Sequence, residues 1–170
     1  MIEKTRATKI KKEGQFREEI LDIRRVTRVV AGGKRFRFRA TVAIGDLAGK
    51  VGIGVAKGVD VAMATEKAKR VAQNNLISVP IVNGTIAHEV KVKCGAAKVL
   101  IKPASPGHGL VAGGIARIIL RLAGISNASA KFLSPSSNKL NNARVVIEAL
   151  KSLKRRDLPQ KSNADSRITT

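Results

Sequence analysis

Between Lys34 and Gly45 the side chains alternate in character with a period of two. Phe36, Phe38, Ala40, Val42 and Ile44 fall on one side of this ladder, and Arg35, Arg37, Arg39 and Thr41 on the other. The pattern predicts a half-buried β-strand with its apolar face inward and its guanidinium groups outward. Like charges on such a strand recur roughly every 7 Å along one face, and they repel. A polyanion lying across the face relieves that repulsion. A solvated basic strand is the plainer alternative.

The remainder of the chain favours the polyanion. Lys and Arg number 33 against 12 acids among 170 residues, a formal charge of +21. Self-repulsion on that scale disfavours a compact state in isolation and calls for an acidic partner. With 44% hydrophobic residues, a real core can form and global disorder is excluded. Nucleic acid fits better than a membrane surface, because the charge is spread through patterned segments rather than along one amphipathic helix. No apolar run approaches the roughly 18 residues of a membrane span, and Met1-Ile2-Glu3-Lys4 opens no signal-peptide pattern. Cys94 stands alone, so no disulfide or cysteine-based zinc site is expected. A cytoplasmic location, or synthesis inside an organelle, is the matching expectation.

Along the chain, residues 1–19 mix basic and acidic residues without apolar period and read as a basic arm. Residues 20–30 form a first strand carrying Arg24, Arg25, Thr27 and Arg28, and Ala31-Gly32-Gly33-Lys34 forms a hairpin turn. After the alternating strand comes a third, residues 50–56. Its glycines Gly52 and Gly54 let another backbone or a phosphate approach closely. Asp60 is placed to cap a helix over 61–77 with Ala64, Ala68, Val71 and Ala72 inward. This β-β-β-α unit spans 20–77, and Pro80 with Asn83-Gly84 marks a linker at 78–84. A second unit, 85–153, reads as strands at 85–93 and 97–103, a helix at 110–123 stopped by Gly124, a strand within 125–133 and a helix at 138–153. Its stripe is Leu140, Ala143, Ile147 and Leu150. That order belongs to an α+β sandwich. From Lys154 the chain is a basic tail.

Two glycine clusters invite enzymatic readings. The run from Gly49 to Gly54 alternates within a strand, whereas a dinucleotide fingerprint lies between a strand and a helix N-terminus. Gly107-His108-Gly109, with Ala112-Gly113-Gly114, is a better phosphate-loop candidate and resembles that of the metabolite kinases. The expected serine pair is missing, and carboxylates for metal or base work are scarce nearby. His88 reads as a packed strand residue rather than a ligand, and His108 as a solvent-facing loop residue. No catalytic residue, metal or cofactor is assigned. Trp and Tyr are absent, so base stacking has few participants. The chemistry on offer is contact with the phosphates and 2′-hydroxyls of folded RNA.

Several ordered motifs carry a resemblance. Gly33-Lys34-Arg35-Phe36-Arg37-Phe38, the run Gly45-Asp46-Leu47-Ala48-Gly49-Lys50-Val51-Gly52-Ile53-Gly54, Asn83-Gly84-Thr85, Pro103-Ala104, Gly107-His108-Gly109 and Leu122-Ala123-Gly124-Ile125 follow one another. They resemble the fifth protein of the bacterial small ribosomal subunit. The resemblance covers roughly residues 18–153 and leaves both termini outside. It implies an α+β chain: a first domain like a double-stranded-RNA-binding domain (three strands and a helix), and a second similar in fold to the metabolite-kinase C-domain. It implies a structural, non-enzymatic constituent that binds small-subunit rRNA near the head–body junction and lies beside small-subunit proteins four and eight. Roles in assembly, decoding accuracy and the mRNA entry path come with it, and no homo-oligomer or membrane partner.

Under that resemblance, Arg24, Arg25, Thr27, Arg28, Gly32, Gly33, Lys34, Arg35, Arg37, Arg39, Lys50, Gly52, Gly54 and Lys57 are expected to contact rRNA. The β1–β2 loop, residues 27–35, would reach toward the neck helix near the spectinomycin site. Gly107, His108, Gly109 and Arg117 would face protein four. Ala31 stands where relatives often carry Lys, removing one charge from the loop tip. Two rival readings follow from the residues alone: a kinase-like enzyme using the 107–114 loop, and a double-stranded-RNA-binding regulator outside the ribosome.

Overall fold

A computed structural model describes residues 16–154; the rest of the basic arm (1–15) and of the basic tail (155–170) lies outside the described residues. The described residues form an α+β structure with three helices and two principal sheets. Strands β1 (Arg17–Val30), β2 (Gly33–Gly45) and β3 (Lys50–Gly58) form an antiparallel meander, and helix α1 (Val61–Asn74) packs across it. Two residues of β4 (Ile77–Ser78) extend the sheet on the far side of β3, pairing with Lys50 and Val51.

Helix α1 starts where the sequence predicts it. The Asp60 carboxylate accepts from the Ala62 amide at 3.4 Å. Its buried stripe is Ala64, Ala68 and Ala72, so the helix lies close on the sheet, while Val71 turns outward instead of inward. The approach is close enough that glycine is required beneath. A Cβ on Gly54 would stand 2.0 Å from the Ala68 carbonyl oxygen, and one on Gly52 would stand 2.6 Å from that of Ala72.

The segment 78–84, read above as a linker, is ordered and packed. Val79 is buried, and β5 (Ile81–Val82) pairs with β6 (Thr85–Ile86) through the Asn83-Gly84 turn. A second sheet follows in the order β7 (Val90–Cys94), β8 (Ala97–Pro103), β10 (Ala128–Phe132), β9 (Leu110–Ala112). Helices α2 (Gly114–Ala123) and α3 (Lys139–Lys151) bring their apolar residues to the core this sheet shares. Residues 110–112, expected as helix, form β9 because Gly113 is extended and caps α2 only afterwards; β9 then pairs parallel to β10. Gly124 ends α2 in the left-handed conformation, as its position predicts. Asn138 caps α3, whose buried face is wider than the predicted stripe and includes Val145, Val146 and Ala149. His88 sits in a bend before β7, not in a strand, because the ladder starts only at Val90.

The two units are stitched together by backbone. In the β2–β3 turn, the Asp46 carboxylate accepts from the amides of Ala48 and Lys50. The same turn donates from Leu47 to Leu122 O at 3.0 Å and from Gly49 to Ala123 O at 2.9 Å, at the end of α2. A Cβ on Gly45 would stand 2.2 Å from the Leu122 carbonyl oxygen. Leu21, Ala43 and Val51 of the first sheet thereby join the core of the second unit.

Candidate nucleic-acid interface

Registry assigns each basic side chain to a face. Opposite Arg35, Arg37 and Arg39 on β2 stand Arg28, Val26 and Arg24 on β1, and Lys57 of β3 lies opposite Arg39. These residues share the face of the sheet turned away from α1. Following β2 along that face gives Arg35, Arg37, Arg39, Thr41, Ala43 and Gly45. The side chains shorten step by step as burial deepens. Arg35 and Arg37 are exposed, Arg39 is half-buried, and Thr41, Ala43 and Gly45 are buried, Ala43 in the core of the second unit and Gly45 under the Leu122 backbone. The strand alternation was therefore read correctly, but Thr41 points into protein rather than outward.

Past Lys57 and Gly58, β3 ends and β1 and β2 continue alone as a two-stranded ribbon. Strand pairing runs to Val30 and Gly33, so residues 27–35 are this ribbon and its tip, not a loop; Ala31 and Gly32 alone make the turn. Arg28, Arg35, Arg37 and Lys57 line a groove of about 310 Å³ floored by Val26 and Val30. Four cations around one shallow groove, without a carboxylate among its walls, make a site for phosphate oxygens.

The opposite face of the ribbon differs. Phe36, expected inward, is 46% exposed because neither β3 nor α1 extends beneath it. Its ring is covered instead by the Arg25 guanidinium, 3.6 Å from the ring centroid. Arg25 and Lys34 thus face away from the groove together with exposed Val29, whereas Thr27 is among the residues that line it.

Residues Glu18 and Glu19, assigned to the arm, belong to β1. Glu18 pairs with Lys69 of α1 at 2.8 Å and Glu19 with Arg121 of α2, so these acids hold the strand root to both neighbours. Asp22 lies just beyond a β-bulge at Leu21. Its side chain, 9% exposed, accepts from Arg24 Nε at 2.8 Å and meets Lys139 Nζ, at the start of α3, at 3.5 Å. Sequence reasoning passed over Asp22; a lone acid in an arginine-rich strand was its available signal.

Other expected contacts fall elsewhere. Gly52 and Gly54 lie under α1, in contact with its backbone, which leaves no room there for a phosphate. Lys50 is at the opposite end of β3 from Lys57, seven residues or about 23 Å away at strand rise. It is not part of the groove. Gly32 is open at the tip, and Gly33 takes a φ of 134°.

The stretch from Gly107 to Gly109 is an exposed turn between β8 and β9, with positive φ at both glycines. The Gly109 amide donates to Asn127 Oδ1 at 3.0 Å, and the turn leads into a strand rather than a helix. A kinase-type phosphate loop is therefore not formed, since its amides must open a helix. His108 is exposed, as is Arg117 on α2, a helix that does not begin until Gly114. Cys94 is half-buried at the end of β7. Among the described residues, no group of His, Cys, Asp and Glu is arranged to hold a metal.

Comparison with known proteins supplies the family. The profile of Ribosomal protein S5, N-terminal domain matches residues 16–80, and that of Ribosomal protein S5, C-terminal domain matches residues 92–163. The chain belongs to the ribosomal protein S5 family. Small ribosomal subunit protein uS5 of Thermus thermophilus is 46% identical over 84% of this chain and 87% of its own length. The protein uS5c of Guillardia theta is 47% identical over 91% and 92%. Small ribosomal subunit protein uS5 of Thermotoga maritima is 45% identical over 82% of this chain and 78% of its own length. Family membership makes this a structural, RNA-binding ribosomal protein of the small subunit, associated with the ribosome and its rRNA, and not an enzyme. The kinase-like reading falls with it.

Proposed function

We propose that the β1–β2 ribbon is the rRNA-anchoring element, with Arg24, Arg28, Arg35, Arg37, Arg39 and Lys57 on the phosphate-binding face. The tapering row on β2 carries this reading. One face of one strand is core at its base and guanidinium at its end, so the second unit holds the ribbon while leaving its charge free. Thr27 meets RNA at the groove, Arg25 and Lys34 meet it from the other side, and Gly32 and Gly33 let the tip approach a backbone closely. Lys50 contacts rRNA separately from the groove.

The rRNA bound lies near the head–body junction of the subunit, and binding there contributes to assembly, decoding accuracy and the mRNA entry path. Small-subunit proteins four and eight are the neighbours, with Gly107, His108, Gly109 and Arg117 toward protein four. The location is the cytoplasmic ribosome, or the stroma or matrix for an organelle-encoded chain. What supports these finer assignments is the ordered set of family motifs and the exposure of the residues concerned.

The first test is sedimentation of lysate through sucrose, probing each fraction for the protein. Migration with small subunits through a high-salt wash is expected. Appearance at the top of the gradient alone would instead favour a free-standing RNA-binding regulator. A second test uses the R28Q/R35Q/R37Q variant with double-stranded RNA. Each lost phosphate contact removes about 0.9 from the slope of log affinity against log salt on the duplex scale, so a flattening of roughly 2 to 3 is expected. An unchanged slope removes the ribbon from the interface.

A further inference from the structure

We propose that the outer face of the second sheet is a separate phosphate-binding surface, formed by Lys91, Lys93, Lys98 and Lys131. The proposal rests on RNA being the partner, as argued above, and assigns it a second, independent contact. Strand registry brings these residues together. Lys91 of β7, Leu100 of β8 and Lys131 of β10 form one cross-strand row, and Lys93 and Lys98 stand directly opposite in the next. Their neighbours along each strand, Val90, Val92, Val99, Ile101, Ala128 and Ala130, point the other way into the core. Lys91, Lys93 and Lys131 are exposed and Lys98 is half-buried.

The one acid nearby, Glu89, is taken by Lys102 at 3.3 Å. The four other lysines have no ion-pair partner among the described residues. Like charges placed directly opposite on paired strands are destabilising, so Lys93 and Lys98 call for an anion from outside. Phosphate backbone fits this face better than an acidic protein does. Cores of protein–protein interfaces are depleted in lysine and built on aromatic anchors, whereas the apolar residues here are all aliphatic: half-buried Leu100, exposed Val111 and exposed Leu133, which follows β10 and bonds to the Lys98 carbonyl. Ammonium groups on flexible stems act as point charges without the bidentate fork of arginine. The contact is therefore indifferent to sequence and follows the charge of an RNA strand, without the bidentate geometry open to the arginine groove of the ribbon. The alternation of Val90-Lys91-Val92-Lys93 announces the outer face in the sequence; pairing with β8 and β10 is what gathers the charge.

The test measures the salt dependence of binding to mixed-sequence double-stranded RNA by the full chain and by its K91Q/K93Q/K98Q/K131Q variant, with R28Q/R35Q/R37Q in parallel. The lysine variant is expected to fold, to melt no lower than the parent, and to flatten the slope by roughly 3 to 4. The two sets are expected to add. A slope unchanged by the lysine variant but flattened by the arginine variant would overturn this surface and leave the ribbon reading intact. A slope unchanged by either would defeat the RNA reading itself. Retained slope with lost incorporation into subunits would give the face to an acidic protein neighbour and overturn the proposal. Should the variant not fold, acetylation of the parent protein, free and in purified subunits, decides. Protection of Lys91, Lys93, Lys98 and Lys131 in the subunit is expected, and full reactivity at all four overturns the assignment.

Discussion

The root and the tip of β2 share one face and one alternation but bury opposite chemistry. At the root, Thr41, Ala43 and Gly45 are buried, with Ala43 in the second-unit core and the Leu122 backbone over Gly45. At the tip, Arg35 and Arg37 stand in solvent beside Arg28. The period of the strand fixes which residues share a face. It does not say what covers that face. Coverage is read from the taper in side-chain size, since a guanidinium cannot sit where another backbone passes and a glycine offers nothing to a phosphate. A single strand can therefore serve as both foundation and probe.

Carrying the arginine row two positions further along its face, to Ala43, breaks this division most severely. Ala43 is fully buried in the core shared by the two units. Ala43→Arg would place an unpaired cation there, at a cost of about 4 kcal/mol in urea unfolding. Arg37→Ala at the tip is expected to change stability by less than about 0.5 kcal/mol. Similar losses at the two positions would mean that root and tip are not distinct.

Glycines repeat the contrast on a smaller scale. A Cβ at Gly54 meets the Ala68 carbonyl oxygen at 2.0 Å and the Ala72 amide nitrogen at 2.4 Å, both of them helix backbone. Gly54→Ala should cost about 3 kcal/mol, as α1 must lift from the sheet. Gly32 has nothing within 4 Å of the same construction. Gly32→Ala should cost about 0.5 kcal/mol or less by thermal unfolding. An equal cost at both sites would refute the close approach of α1.

These contrasts also show what the sequence could disclose. The α+β class, the three helices, the Asp60 cap and the Gly124 stop are local signals, carried by neighbours within a turn or two. So is the alternation that places the arginines. What failed was long-range. Phe36 looks inward by period, yet it is exposed because β3 ends two residues too soon to cover it. Gly52 and Gly54 invite a phosphate until α1 is seen to occupy the space. Glu18 and Glu19 look like part of a polar arm, but their partners, Lys69 and Arg121, lie far along the chain. The 107–114 loop mimics a helix entrance because three strand residues intervene where a helix was expected.

Asp22 marks the boundary between root and tip and offers a readout with opposed signs. It ties Arg24 to Lys139 of α3, both about half-exposed, so solvent screening holds its contribution to about 1 kcal/mol. Removing an acid from a cationic face should strengthen binding to any polyanion. If the Asp22 contact instead aims the ribbon, Asp22→Asn should bind mixed double-stranded RNA at least as tightly as the parent while entering small subunits several-fold less efficiently in competition. Gains in both measurements would show that Asp22 does not position the ribbon.

Thr41 is the finest probe of the boundary. It is opposite Asp22 in the register, only 1% exposed, and its hydroxyl oxygen has no hydrogen-bond partner among the described residues. Its neighbour on the same face, Arg39, likewise leaves Nε buried without a partner. A buried hydroxyl without a bond costs free energy that an apolar replacement of similar shape recovers. Thr41→Val should therefore raise stability slightly, by about 0.5 kcal/mol in urea unfolding, and leave the salt slope for RNA unchanged. A loss of 1 kcal/mol or more would show that the hydroxyl is satisfied in solution and that water reaches the sheet at this row. The division between buried root and exposed tip would then lie one row deeper, at Ala43.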